Sequence, residues 1–324
     1  MPTTAFFTIA GTCRMIESLP DPHQPPARPC NLSAWDDTDM AKKKSTWASF
    51  PYPDPKFDYA GAKLTKAWGK LHAGDCEPFP DVDHVAERLA EHPELGKKSD
   101  AGTISASLIE AWRAFHRGDF QQAYDTGITL GPLGTSVAIK AAGIHATHLV
   151  DDDDEREQRY LALVKLAEAT IKALPEDANS YYRHAFALGR YSQSISIAKA
   201  LTQGLAGKVR VSLEQALELE PDHAEAHTAL GLYHAEVIAK VGSMLGGLTY
   251  GAKAATGEAL LKRAISLTPN SPIAHIEYGN GLMLLYGSKK ESQAAGEYEK
   301  ASQLKPLDAM EKLDIEFAAA QIED

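Results

Sequence analysis

The sequence has few cysteines, no long apolar run and no excess of basic residues. Its three cysteines, Cys13, Cys30 and Cys76, are odd in number and give no disulfide framework, so a reducing compartment such as the cytoplasm is the simplest interpretation. No segment approaches the roughly 20 apolar residues of a membrane span, so no membrane-spanning helix is predicted. The 33 basic and 44 acidic residues give a net charge of -11. This charge argues against nucleic acid or anionic lipid as the main partner.

Residues 1–39 are rich in proline and lack helical periodicity, and residues 1–58 are predicted to be an N-terminal extension that is disordered or results from a gene start placed too early. Met40-Ala41-Lys42-Lys43-Lys44-Ser45 reads like the natural start of a cytoplasmic bacterial protein. The apolar stretch from Phe6 to Gly11 before Cys13 faintly resembles an export signal, but Thr12 stands where a lipoprotein signal needs a small residue. Export to the periplasm is therefore kept as the alternative.

Regularly placed prolines and small residues predict pairs of antiparallel helices from residue 100 onward. Alanine stands five residues before each of three prolines, at Ala216 before Pro221, Ala264 before Pro269 and Ala301 before Pro306, and glycine stands ten residues after the first two, at Gly231 and Gly279. Proline ends a helix, and small residues let two helices approach closely. Residues 67–75 echo residues 111–119, each ending in a Gly-Asp turn, so a degenerate helical hairpin is predicted at residues 59–99.

This spacing resembles the tetratricopeptide repeat (TPR). The resemblance covers roughly residues 100–324 and implies an all-α fold, a TPR-like right-handed helical-hairpin solenoid with two enlarged repeats. The enlargement shows in the proline spacing: Pro175 to Pro221 is 46 residues and Pro221 to Pro269 is 48, against a repeat of about 34. The inserts at residues 197–208 and 238–253 are alike, and insertions in repeat proteins often map to a binding face.

The enlarged repeats, mainly residues 178–285, are similar to two TPR groups: the T-component proteins of TRAP transporter systems and the regulators of microtubule dynamics. The first resemblance implies a periplasmic lipoprotein that associates with a solute-binding protein, and the second a eukaryotic role. Neither brings a catalytic signature.

No catalytic site, metal site or cofactor is predicted. His223 and His227 are four residues apart, yet His223 falls in a turn after a proline, and the glutamate between them is not placed as in a zinc protease. His145 and His148 precede the acidic run 151–154, which is typical of a helix start. Gly207-Lys208 lacks the earlier glycine and the following hydroxyl of a phosphate loop.

The predicted binding site is the concave face, to which the first helix of each repeat contributes. Counting repeat positions from the prolines gives twelve inward residues: Asn179, Tyr182, Phe186, Arg190, Glu225, Thr228, Leu232, Glu236, Ile273, Ile276, Asn280 and Met283. Aromatic, amide and charged side chains in this mixture suit an extended peptide or helix. Ile276 stands where carboxylate-clamp repeats need a lysine, so that subtype is not expected.

The sequence thus predicts a cytoplasmic, non-enzymatic scaffold or adaptor that binds a protein or peptide in the concave groove. The alternative is a periplasmic T-component-like protein that assists small-molecule uptake. No nucleic acid partner is expected, and a homo-oligomer is left open.

Overall fold

The computed structural model describes residues 47–96 and 100–323, and within these ranges the chain forms helices and no β-strand. The predictions made for Cys13, Cys30 and a start at Met40 lie outside these residues. The α-helices in the described ranges are α1 Ala62–Leu71, α2 Val82–Glu91, α3 Ala101–Arg117, α4 Phe120–Thr129, α5 Thr135–Leu149, α6 Asp153–Ala173, α7 Ala178–Ser194, α8 Ile197–Thr202, α9 Leu205–Leu219, α10 Ala224–Val241, α11 Ser243–Tyr250, α12 Ala254–Leu267, α13 Pro272–Tyr286, α14 Glu291–Gln303 and α15 Ala309–Glu323.

The predicted helix boundaries at the prolines are confirmed. Helices α6, α9 and α12 each end two residues before Pro175, Pro221 and Pro269. Two of the following helices, α7 and α10, begin with side-chain caps: Asp177 accepts a hydrogen bond from the backbone N–H of Ser180, and His223 accepts one from Ala226. These caps satisfy N–H groups that a helix start leaves without partners.

Gly231 and Gly279 lie where neighbouring helices come closest, as their spacing predicts. A Cβ atom on Gly231 of α10 would lie 2.7 Å from Leu261 and 3.0 Å from the carbonyl oxygen of Gly257, both on α12. A Cβ atom on Gly279 of α13 would lie 3.2 Å from the carbonyl oxygen of Ala294 on α14. Any side chain at Gly231 or Gly279 would separate two packed helices.

The predicted extension reaches less far than residue 58, because residues 47–58 pack into the helical body. Phe50 and Phe57 are buried with Trp112 and Phe115 of α3 in one apolar cluster. Phe50 lies against Gly118, which has a φ of +94° and ends α3 in the left-handed conformation. A Cβ atom at Gly118 would lie 2.6 Å from the Phe50 ring, so glycine is required there by both the turn and the packing.

The region predicted as a degenerate hairpin, residues 59–99, contains two helices that both pack on α3. Helix α1 does so through Trp68, whose ring meets that of Trp112 edge to face at 5.8 Å. Helix α2 does so through Val85, which clusters with Leu108. The first predicted insert, residues 197–208, forms the short helix α8 and the first turn of α9. The second, residues 238–253, forms the last turn of α10 and the short helix α11.

Most consecutive helices pack against each other, and the last helix, α15, packs on α3. Inner helices α5, α7, α10, α13 and α15 stand side by side. His116 of α3 and Asp308 lie 2.8 Å apart, and the Tyr59 hydroxyl donates a hydrogen bond to the carbonyl oxygen of Leu307. Leu313 joins the cluster around Trp112. The concave side is therefore closed into a ring of helices around a central cavity.

Candidate functional site: the central cavity

The central cavity has a volume of about 760 Å³ and is lined by the five inner helices and by α8 and α9. Most of its wall is apolar, with side chains such as Ile144, Phe186, Leu232, Ile273 and Met310. Its most exposed lining residues are Ser196, Ile197, Leu201 and Lys240, which places the mouth beside the inserts. A cavity of this volume with apolar walls and a few polar groups is typical of a ligand-binding site.

Nine of the twelve residues predicted for the concave face line this cavity. They are Tyr182, Phe186, Arg190, Glu225, Thr228, Leu232, Glu236, Ile273 and Asn280. The other three do not line the cavity. Ile276 of α13 is fully buried against Ala301 and Ala318, and Met283 packs against the cluster around Leu261. Asn179 is buried and donates a hydrogen bond to the carbonyl oxygen of Asp75 in the loop between α1 and α2. Ile276 and Met283 face neighbouring helices because the inner helix of each repeat is packed on more than one side.

The loop between α1 and α2 contacts three cavity-lining residues, Lys140, Arg183 and Glu225, which are called the floor of the cavity. The Asp75 side chain in this loop is fully buried and accepts hydrogen bonds from Lys140 of α5 at 2.5 Å and from Arg183 of α7 at 2.6 Å. His72 contacts its other oxygen at 2.9 Å. Burial alone would raise the pKa of Asp75, but Lys140, His72 and Arg183 outweigh burial and hold the pKa well below its usual range. Asp75 is thus a buried carboxylate that joins the loop to two inner helices.

Glu225, on the first turn of α10, completes the floor of the cavity. Its carboxylate lies 3.2 Å from Lys140 and 3.5 Å from Arg183, and its backbone N–H donates to the carbonyl oxygen of Gly74 at 2.9 Å. Two carboxylates, those of Asp75 and Glu225, therefore face two cations. Since the four charges balance, the positive charges of Lys140 and Arg183 are neutralised within the protein, while the buried Nε of Arg183 has no hydrogen-bond partner in the described residues.

A neutral polar layer lies beneath this floor. Glu77 accepts hydrogen bonds from Ser136 at 2.6 Å and from Asn179 at 2.8 Å. Burial, together with the Asp75 and Asp177 carboxylates, raises the pKa of Glu77 to about 8. The carboxyl group of Glu77 is therefore mainly protonated at neutral pH and adds no charge to the floor.

Glu77→Gln is expected to reduce the fall in melting temperature between pH 5 and pH 8. Because the folded-state pKa of Glu77 is raised from 4.5 to about 8, its contribution to stability is complete below pH 4.5 and is lost as pH rises towards 8. The variant should melt at least about 2 °C above the wild type at pH 8, with a smaller gain at pH 5. Scanning calorimetry at both pH values measures this difference. The exposed Glu87→Gln on α2 is the control, and equal pH profiles for the wild type and Glu77→Gln would contradict the prediction.

The wall near the mouth carries a second cluster of polar residues, which has fewer hydrogen bonds and ion pairs than the cluster around Asp75. The Arg190 guanidinium lies 3.9 Å from Glu277 and donates one long hydrogen bond, 3.4 Å, to Gln193. Asn280 donates to Glu277 at 2.8 Å, and Gln193 donates to Glu236 at 2.7 Å. Most of the five N–H donors of Arg190 therefore remain open to an acceptor on a ligand.

The histidines considered as metal ligands have other partners. His223 accepts from the backbone of Ala226 through Nδ1 and contacts Asn179 through Nε2, and burial lowers the pKa of His223 to about 4. His227 contacts the carbonyl oxygen of Pro221. His145 contacts the carbonyl oxygen of Ala48 and the guanidinium of Arg159, while His148 lies 3.3 Å from Asp314.

Glu91, His92 and Glu176 form a cluster with the donor types of a metal site on the outer surface. Arg88 already lies 2.9 Å from the Glu176 oxygen that contacts His92, so a cation of this chain occupies the position beside that carboxylate.

Cys76 is placed on the floor loop, where its thiol has no activating base. Burial and the nearby carboxylates, Glu220 first among them, raise the pKa of Cys76 to about 12. A raised thiol pKa gives an unreactive cysteine. The residue has a φ of +48°, which fits the tight turn that carries Asp75 and Glu77 into the ring.

No protein-family model matches this chain, and no curated protein matches it. In the part of the chain that the structure describes, no helix is long and apolar enough to cross a membrane.

Proposed function

We propose that this chain is a non-catalytic binding protein that holds an amphipathic ligand in its central cavity. The observation that carries the proposal is the cavity of about 760 Å³, whose mostly apolar walls include the incompletely hydrogen-bonded cation of Arg190. The ligand would have an elongated apolar part and one group that accepts hydrogen bonds, such as a carboxylate. Burial of the apolar part provides most of the affinity, and Arg190 sets the orientation.

The closed floor favours a small molecule over a long peptide. An extended peptide lying along a solenoid groove needs both ends of the groove open, whereas here α15 packs on α3 and the loop between α1 and α2 is bonded to α5, α7 and α10. A TPR-like scaffold that binds a protein partner remains the second candidate. It is favoured by the nine predicted groove residues that line the cavity, and its ligand would be the apolar end of a polypeptide inserted through the mouth.

The proposal can be tested by titrating the full chain with anilinonaphthalene sulfonate, which combines an apolar ring system with an anionic acceptor. We expect saturable one-to-one binding with a blue-shifted emission. Arg190→Met should weaken it about tenfold, as expected for loss of a charge-assisted hydrogen bond. Arg263→Met is the control, since Arg263 is half exposed and pairs with Asp222 outside the cavity.

Competition then separates the two candidates. Displacement of the probe by small amphipathic carboxylates supports the first candidate, and displacement only by apolar peptides with a free carboxyl end supports the second. Absence of a saturable site in the wild type would contradict both.

A further inference from the structure

The inserts expose an unusual amount of apolar side chain at the mouth of the ring. Met244 and Leu248 of α11 are 81% and 82% exposed, and Leu245 is 51% exposed. Ile197 and Leu201 of α8 are 53% and 44% exposed. These five residues are called the insert surface below. Val211 of α9, which follows the first insert, is also 66% exposed. Other exposed large apolar residues in the described ranges, such as Val82 and Ile322, lie farther away along the chain.

The two inserts lie side by side at the same end of the ring. Arg210, near the start of α9, donates a hydrogen bond to the carbonyl oxygen of Tyr250 at the end of α11, at 3.1 Å. Residues of both inserts, among them Leu201 and Tyr250, line the mouth of the cavity. Helices α8 and α11 therefore present their exposed apolar side chains at the same end of the ring.

Charge is segregated at this end of the molecule. Residues 194–211 and 237–257 contain no aspartate or glutamate, although the chain has a net charge of -11. The same segments carry five basic residues: Lys199, Lys208, Arg210, Lys240 and Lys253. Lys199, Arg210 and Lys240 each pair with a carboxylate outside the inserts, whereas no ion pair joins exposed Lys208 or Lys253 to a carboxylate in the described residues. These two segments are therefore basic, although the chain as a whole is acidic.

We propose that the insert surface docks on an anionic lipid bilayer, with α8 and α11 lying in the headgroup region. Apolar side chains on short amphipathic helices enter the boundary of the acyl chains, and lysines at their edge are attracted to anionic headgroups. A second copy of this chain is a poorer occupant, because a symmetric contact through this surface would bring the two basic edges together. Docking of this kind is peripheral and needs no membrane-spanning helix.

Flotation of the full chain with vesicles tests the proposal. We expect binding to vesicles of phosphatidylcholine with phosphatidylglycerol, weak binding to phosphatidylcholine alone, and a loss of binding as salt rises. Met244→Asp with Leu248→Asp should reduce partitioning at least about tenfold, and Lys208→Glu with Lys253→Glu at least about fivefold. Val82→Asp is the matched control, since Val82 is 50% exposed on α2 and should leave binding unchanged. Circular dichroism checks that each variant keeps its helical content.

Three outcomes would overturn the proposal. In the first, the wild type does not float with anionic vesicles. In the second, Met244→Asp with Leu248→Asp leaves flotation unchanged, which would show that vesicle binding depends on charge alone. In the third, light scattering shows a dimer that this double variant converts to a monomer while neither form binds vesicles, which would assign the surface to a second copy.

Discussion

Replacing Asp75 with alanine is expected to lower the free energy of unfolding by about 3–5 kcal/mol, the cost of breaking a buried ion pair from one side. Asp75 is fully buried and is the shared partner of Lys140 and Arg183, which are each less than 5% exposed. The variant would leave both cations with only the longer contacts to Glu225. Urea unfolding followed by circular dichroism measures the loss.

The pH dependence gives this prediction a second readout. Since the folded-state pKa of Asp75 lies below its ordinary value of 3.8, its contribution is present at neutral pH and disappears as pH falls through the folded-state pKa. The difference between wild type and Asp75→Ala should therefore shrink in acid. Lys262→Ala removes the exposed pair with Glu258 and should cost less than about 1 kcal/mol. If Asp75→Ala costs no more than this control, the floor loop is not held by its charges.

Gly189→Phe is expected to lower the affinity of the cavity for anilinonaphthalene sulfonate at least about tenfold, or 1.4 kcal/mol. Gly189 lies on α7 and lines the cavity, and a Cβ atom built there meets no heavy atom within 4 Å. The phenyl ring would therefore enter space that the ligand needs. Because glycine is a poor helix former, the variant should fold at least as stably as the wild type. Fluorescence titration and thermal melting measure the two effects.

Gly296→Phe is the matched control for this variant. Gly296 also lies within a helix, α14, and a Cβ atom there also has no neighbour within 4 Å, but Gly296 does not line the cavity. It should gain a similar helix propensity and keep the wild-type affinity. Equal affinities for Gly189→Phe and Gly296→Phe would place the binding site outside the ring.

The helical architecture could be predicted from local signals. Prolines at positions 175, 221, 269 and 306 end helices, and Gly231 and Gly279 mark close helix contacts, because both effects depend on backbone sterics within a few residues. The repeat type stays a prediction. Closure of the ring had no local signal, since it depends on contacts such as His116 with Asp308, which are 192 residues apart.

The site could be predicted only where helical geometry sets it. Nine of the twelve positions counted from the repeats line the cavity, whereas Asn179 lies against a loop and Ile276 and Met283 pack against neighbouring helices. Whether any of them binds a ligand stays a prediction. The Gly74-Asp75 turn was visible as a repeated helix end, but its role depends on Lys140 and Arg183, which lie 65 and 108 residues away from Asp75. A lysine and an arginine at inward-facing helix positions, here Lys140 and Arg183, are the sequence signal for a buried carboxylate partner.

Native mass spectrometry with saturating anilinonaphthalene sulfonate tests most directly whether the ring holds a ligand. We predict one bound probe for each wild-type chain and for Gly296→Phe, and a clearly lower bound fraction for Gly189→Phe at the same probe concentration. The same number of bound probes on all three chains would contradict binding in the central cavity.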